Sequence, residues 1–215
     1  MDCRMHHPFT CMVSGMTGSG KTYLVKQLLE QCTETITPAP DRIVWVYAQD
    51  QPLYNDMRQS IPGIEFVSGI PENITDDDYF DVSKNNVLVL DDMMTHCHND
   101  DRITKLFSVG SHHRNLSIFH LVQNVFHQGK ETRNISLNTH YLIVFKNPRD
   151  NQQVQVLGRQ MYPRKTKFFM EAFDDATSSP YGYLFLDLKP CTLEPYRVRS
   201  NILPGQRHYA CIPSV

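Results

Sequence analysis

Eight consecutive residues could do chemistry together: Gly15, Met16, Thr17, Gly18, Ser19, Gly20, Lys21 and Thr22 follow the pattern G-x-x-x-x-G-K-[ST]. Glycines at these positions let successive backbone N–H groups turn inward and ring an anion. A helix starting near Lys21 would aim the positive end of its dipole at the same anion. Lys21 adds a mobile positive charge suited to β- and γ-phosphates, and the Thr22 hydroxyl is an oxygen ligand for magnesium. The plain alternative is a glycine-rich turn with a surface lysine. It is disfavoured because the motif falls between an apolar run at 8–13 and a segment at 21–32 with helical spacing.

A magnesium ion on a triphosphate needs a second protein anchor, which such proteins take from an aspartate at the end of a neighbouring strand. Val87, Leu88, Val89 and Leu90 are four aliphatics in a row, ending on Asp91 and Asp92. That run is expected to be a fully buried strand, with Asp91 as the metal anchor facing the phosphate loop. Asp92 is placed to polarise an attacking water, or else it caps the following segment. Gln123 ends another apolar run, 116–122. There an amide could touch a γ-phosphate and the attacking water, or satisfy loop backbone. An arginine is also needed for charge developing on the γ-phosphate, often from an adjacent subunit. Arg114, just before that run, is the first candidate and Arg149 the second, with Arg102 and Arg133 as further options.

These groups need a frame. Strands are expected at 8–13, 42–47, 64–67, 87–90, 116–122, 141–145, 183–188 and 196–202, the last two as a hairpin. Helices are expected at 21–32, with Leu24, Val25, Leu28, Leu29 and Cys32 inward, and at 102–110, 152–161 and 166–176. A short acidic helix capped by Thr75 is expected at 75–80, and a loop at 37–41. Strands alternating with helices imply an α/β fold, a mostly parallel sheet covered on both faces. Seventy positions separate Lys21 from Asp91. That interval holds the 42–47 strand and leaves room for one strand between the two motif strands. Such an insertion characterises ATPases that activate water with a carboxylate. With no Asn-Lys-x-Asp signature, ATP is favoured over GTP.

The 215 residues, 40% hydrophobic and with a net charge of -2, suit a single domain spanning 1–215 with a core at about 8–188. The charge argues against DNA binding over the whole surface, but not through one loop per subunit of a ring. No apolar run is long enough to span a membrane, and the first ten residues lack the apolar stretch of a secretory signal. Cys3, Cys11, Cys32, Cys97, Cys191 and Cys211 are scattered, as expected of reduced thiols. An intracellular protein is therefore expected.

The blocks GMTGSGKT (15–22), VLVLDD (87–92), GSHHRNLSIFHLVQN (110–124) and HYLIVFKNPRD (140–150) together resemble the viral genome-packaging ATPases of the FtsK/HerA superfamily. They are most similar to the short packaging ATPases of Polinton/Maverick elements and adintoviruses, related to the poxvirus packaging ATPase. The first block is widespread, while the later ones are far more specific. The resemblance implies a P-loop NTPase that forms a homo-oligomeric ring and pumps double-stranded DNA into a preformed capsid. It also implies ATP and magnesium as cofactors, contact with capsid proteins, and action at virion assembly sites in the nucleus or cytoplasm. An arginine from one subunit would complete its neighbour's site. Asp92 departs from the glutamate of cellular relatives, and its shorter reach puts its role as base in doubt.

Two other readings compete. A small-molecule P-loop kinase would use Arg159, Arg164, Lys165 and Lys167 as a lid, but Asp91-Asp92 followed by strand and Gln123 fits water activation better. A non-enzymatic, host-resident binding module of viral origin is disfavoured by the intact motifs. The same basic cluster, or Lys130 and Arg133, could instead contact DNA phosphates. More plainly it is a solvated helix end. His96, Cys97 and His98 lack the partner ligands a zinc site needs. His112 and His113 are either a subunit contact or plain loop.

Overall fold

Two hydrophobic layers sandwich one sheet, and the alternation of side chains along each buried strand produces them. In the computed structural model, residues 2–93, 101–107, 114–126, 135 and 137–213 are described. His96, Cys97, His98, His112, His113, Lys130 and Arg133 lie outside them. The strands are β1 (Met5–His6), β2 (Thr10–Ser14), β3 (Ile36–Thr37), β4 (Arg42–Tyr47), β5 (Ile64–Ser68) and β6 (Asn86–Asp91). They continue with β7 (Leu116–Val122), β8 (Tyr141–Phe145), β9 (Tyr183–Asp187), β10 (Val198–Ser200) and β11 (Tyr209–Ala210). The helices are α1 (Lys21–Glu30), α2 (Cys32–Thr35), α3 (Leu53–Ser60), α4 (Asp101–Lys105), α5 (Gln152–Met161) and α6 (Thr166–Ala176).

A nine-stranded sheet runs in the order β11-β10-β9-β8-β2-β7-β6-β4-β5. From β8 to β5 every pairing is parallel, while β9, β10 and β11 join antiparallel at one edge. Ile43, Trp45, Val87, Val89, Phe119 and Leu121 point to one face, under Leu24, Val25 and Leu28 of α1 and Tyr54 and Met57 of α3. Val44, Val46, Leu88, Leu90 and Ile118 point to the other, under α4, α5 and α6. With both faces covered, these strands read as unbroken apolar runs. The Arg199–Asp187 ion pair, 2.9 Å and buried, fastens β10 to β9. Among the described residues, no helix is long and apolar enough to cross a membrane.

The structure differs from expectation in four places. The strand between the two motif strands is β7, which pairs with β2 on one side and β6 on the other, whereas β4 lies outside β6. β7 is buried along its whole length, as befits the middle of the sheet, while β4, paired to β6 and β5 nearer the edge, carries half-buried Arg42 and Tyr47 at its ends. The acidic stretch 75–80 forms turns, not a helix. Arg114 donates to the Ile74 and Thr75 carbonyls and Arg42 to that of Tyr79, while the Tyr79 N–H closes a turn onto the Asp76 carbonyl at 3.2 Å. Helix α3 was not expected at all. The predicted final strand shortens to β10 after a single helical turn at Glu194–Tyr196.

Leu88 sits mid-strand in β6, flanked by Val44 and Ile118 in register, and is fully buried. Leu88→Ala is expected to lower the unfolding free energy by about 2–5 kcal/mol, measured by urea denaturation with the slope unchanged.

Candidate functional site

Strand register collects the motif residues on one edge. Ser14 at the end of β2 pairs with Val122 of β7 and Val144 of β8, and Asp91 at the end of β6 pairs with Leu121. The loop 15–20, Asp91, Asp92 and Gln123 therefore emerge together at the carboxyl ends of parallel strands, where ligands bind in open α/β sheets. The Gly15 N–H donates to the Val122 carbonyl at 3.1 Å, tying the loop's start to β7. A Cβ at Gly15 would lie 2.5 Å from Ser19 Oγ and 2.8 Å from Phe145 Cβ, so only glycine fits the cradle. Gly20, at φ 103°, turns the chain into α1.

Lys21 folds back over the loop. Its Nζ donates to the carbonyls of Gly15 at 2.6 Å and Met16 at 3.1 Å. Burial lowers its pKa below the ordinary lysine value, while the nearby charges of Asp92 and Asp91 pull the other way. The buried Ser19 Oγ has no hydrogen-bond partner. An ammonium resting on loop carbonyls and an orphaned buried hydroxyl in a glycine-rich loop fit a phosphate chain.

The buried Asp91 carboxylate lies across from the loop. The Thr22 hydroxyl donates to Oδ1 at 3.5 Å and the Tyr54 hydroxyl to Oδ2 at 2.9 Å. Burial raises the Asp91 pKa from its ordinary value, against those two hydrogen bonds and the Lys21 charge. Thr22 and Asp91 are the oxygen donors that a hard divalent cation takes, so the pair fits magnesium. Asp92 is exposed with φ 51°, a left-handed backbone that a short aspartate tolerates better than most residues. Gln123 Nε2 donates to Asp92 Oδ1 at 3.3 Å, so these two groups share one spot at the mouth of the site.

Two arginines separate. Arg114 precedes β7 and lies at the amino-terminal edge, away from the phosphate loop. Its guanidinium donates to the Ile74 and Thr75 carbonyls and pairs with Asp77 at 3.2 Å. The structure does not bring it to its own chain's site. Arg102 is likewise engaged, donating to the Pro71 carbonyl at 3.0 Å. Arg149 follows β8 at the motif edge and is exposed. Its neighbours Lys146 and Pro148 line a cavity with Met16–Ser19.

Sequence reasoning missed Tyr54. Its signal was present: Leu53, Tyr54, Met57 and Ile61 recur at helical spacing between Pro52 and Gly63. Also missed was a cavity of about 970 Å³ beside Gly20 and α1, lined in part by Tyr23, Phe145, Tyr181 and Tyr209.

No protein-family model matches this chain, and no curated protein sequence matches it. Solved structures do. The genome-packaging NTPase B204 from Sulfolobus turreted icosahedral virus 2, in complex with AMPPCP, superposes with a TM-score of 0.58 at 13% identity. The alignment covers 86% of this chain and 94% of that one. B204 of Sulfolobus turreted icosahedral virus, described as a DNA-packaging ATPase, gives 0.56 at 14% identity, covering 86% and 94%. The cytoplasmic domain of the type VII secretion ATPase EccC from Thermomonospora curvata gives 0.54 at 13%, covering 89% of this chain but 25% of that one. The chain thus has the P-loop NTPase fold, in the form seen in a viral packaging NTPase.

Lys21→Ala is expected to leave the fold intact, because the lysine's hydrogen bonds go only to loop carbonyls and the Thr22 and Tyr54 hydroxyls stay on Asp91. It should abolish nucleotide turnover, as measured by phosphate release beside thermal unfolding. Turnover at the parent rate would remove the phosphate-loop assignment.

Proposed function

We propose that the chain is a magnesium-dependent ATPase that works as a ring and drives double-stranded viral DNA into capsids, in the manner of the FtsK/HerA packaging ATPases of the Polinton and adintovirus type. The observation that carries the ATPase reading is β7 inserted between the phosphate-loop strand and the Asp91 strand, with Gln123 at its end touching Asp92. The likeness in fold to the viral packaging NTPases supports the packaging reading. Action inside the host cell, at sites of virion assembly, follows from the same reading.

The loop N–H groups and Lys21 hold the β- and γ-phosphates, and Ser19 Oγ gains the partner it otherwise lacks. Thr22 and Asp91 hold magnesium, which when bound neutralises charge on the phosphate oxygens. Asp92 accepts a proton from water as the water oxygen bonds to the γ-phosphorus. The bond to the ADP oxygen breaks, and ADP carries away that electron pair. Gln123 orients the water through its amide. The aromatic-lined cavity beside Gly20 is suited to a nucleobase, whose faces stack on tyrosine and phenylalanine rings.

Arg149 is the arginine best placed to serve a neighbouring subunit, because it is exposed at the motif edge while Arg114 is engaged within its own chain. The exposed cluster Arg159, Arg164, Lys165 and Lys167 lies where α5 passes into α6 and is a candidate contact for DNA phosphates.

ATP turnover should rise with double-stranded DNA and with protein concentration, followed by phosphate release beside particle mass in solution. Turnover that instead requires a small phosphoryl acceptor would make the chain a kinase. Asp92→Asn should retain ATP binding and slow hydrolysis by roughly 10²–10⁴. Parent-like hydrolysis would place the base elsewhere.

Mixing tests the finger. Arg149→Ala subunits keep their own phosphate site, and Lys21→Ala subunits keep Arg149. Their mixture should recover activity that neither variant shows, given the roughly 10³–10⁵ rate contribution of an arginine supplied in trans. Arg114→Ala mixed in the same way should recover nothing, and recovery there alone would return the role to Arg114.

A further inference from the structure

Among the described residues, the Asp91 carboxylate has two hydrogen-bond partners, and they approach different oxygens. Thr22, on the phosphate-loop helix α1, faces Oδ1. Tyr54, on α3, donates to Oδ2 at 2.9 Å. Tyr54 is itself immobilised: it is fully buried, with ring centroids 5.9 Å from Trp45, 5.2 Å from Tyr47 and 5.1 Å from Phe66. Helix α3 is held in turn by Met57 in the same layer. The phenol hydroxyl is thus a fixed donor aimed at one carboxylate oxygen.

A carboxylate at a strand end can rotate about χ2, a broad two-fold torsion. A single fixed donor on Oδ2 selects one orientation, and that orientation leaves Oδ1 beside the Thr22 hydroxyl. We propose that Tyr54 is a positioning residue for the metal of the nucleotide site. It holds Asp91 so that Oδ1 and the Thr22 oxygen stand together as a preformed pair of hard ligands. The proposal rests on the ATPase reading above. A purely structural phenol would also satisfy its hydrogen bond here, and the two roles differ in what they do to metal dependence. Partners that orient a metal ligand commonly account for 10- to 100-fold in metal affinity or activity.

The test uses the full chain as parent, Tyr54→Phe and Tyr47→Phe. The phenylalanine keeps the ring packing and removes only the donor. Tyr47 belongs to the same aromatic cluster, while the carboxylate takes its hydrogen bonds from Thr22 and Tyr54. Binding of a fluorescent, non-hydrolysable ATP analogue is measured in EDTA and across a magnesium titration. Manganese binding by electron paramagnetic resonance and thermal unfolding run in parallel. For Tyr54→Phe, the affinity in EDTA should match the parent, while the magnesium or manganese concentration for half-saturation should rise about 10- to 100-fold. Tyr47→Phe should titrate like the parent. A Tyr54→Phe titration that overlays the parent, whatever its melting temperature, overturns the positioning role. A parent that binds the analogue equally with and without magnesium overturns the metal-dependent reading itself, which separates the two failures.

Discussion

A carboxylate taken out of water at the end of a buried strand is the constraint on which this molecule is built. Asp91 is desolvated by β4 and β7 on either side and by helices over both faces, and an unpaired charge there is expensive. Within the chain it is compensated by two hydroxyl donors and the charge of Lys21. Those three groups come from two helices on the same layer, α1 and α3. The compensation thus binds the phosphate-loop helix, β6 and the aromatic cluster into one unit. An oxygen-liganded cation would add the positive charge that the two hydroxyls cannot.

Parallel register sets the polarity of everything else. Because β2, β6, β7 and β8 run the same way, residues that follow these strands share one edge and residues that precede them share the other. Asp92, Gln123 and Arg149 follow strands; Arg114 precedes one. That difference separates Arg149 from Arg114 more firmly than residue type could, since both are arginines in polar loops.

One amide joins the two loops beyond the phosphate cradle. The Val125 N–H donates to Gln153 Oε1 at 3.0 Å, and Gln153 Nε2 donates to Asn124 Oδ1 at 3.2 Å and Asp150 Oδ2 at 2.5 Å. The segment after Gln123 and the segment after Arg149 are therefore stitched together through the first turn of α5.

Much of this was determined by the sequence alone. The phosphate loop declares itself because glycine, lysine and threonine at fixed spacing act through backbone geometry that needs no distant partner. β4, β7, β8, α5 and α6 are legible end to end because each buries an apolar face whose period is local. Asp91, Asp92 and Gln123 are legible because a polar residue ending an apolar run must lie at a strand end. Only tertiary structure decided the rest. Which strand lies between β2 and β6 depends on pairing across more than a hundred residues, which no local period encodes. The turns at 75–80 are held by arginines at 42 and 114, which donate to carbonyls in and beside the segment from far along the chain. Tyr54 meets Asp91, thirty-seven positions along the chain, because α3 folds over the same layer as α1. A hydroxyl's partner is set by packing, so its meaning could not be read from its own neighbourhood.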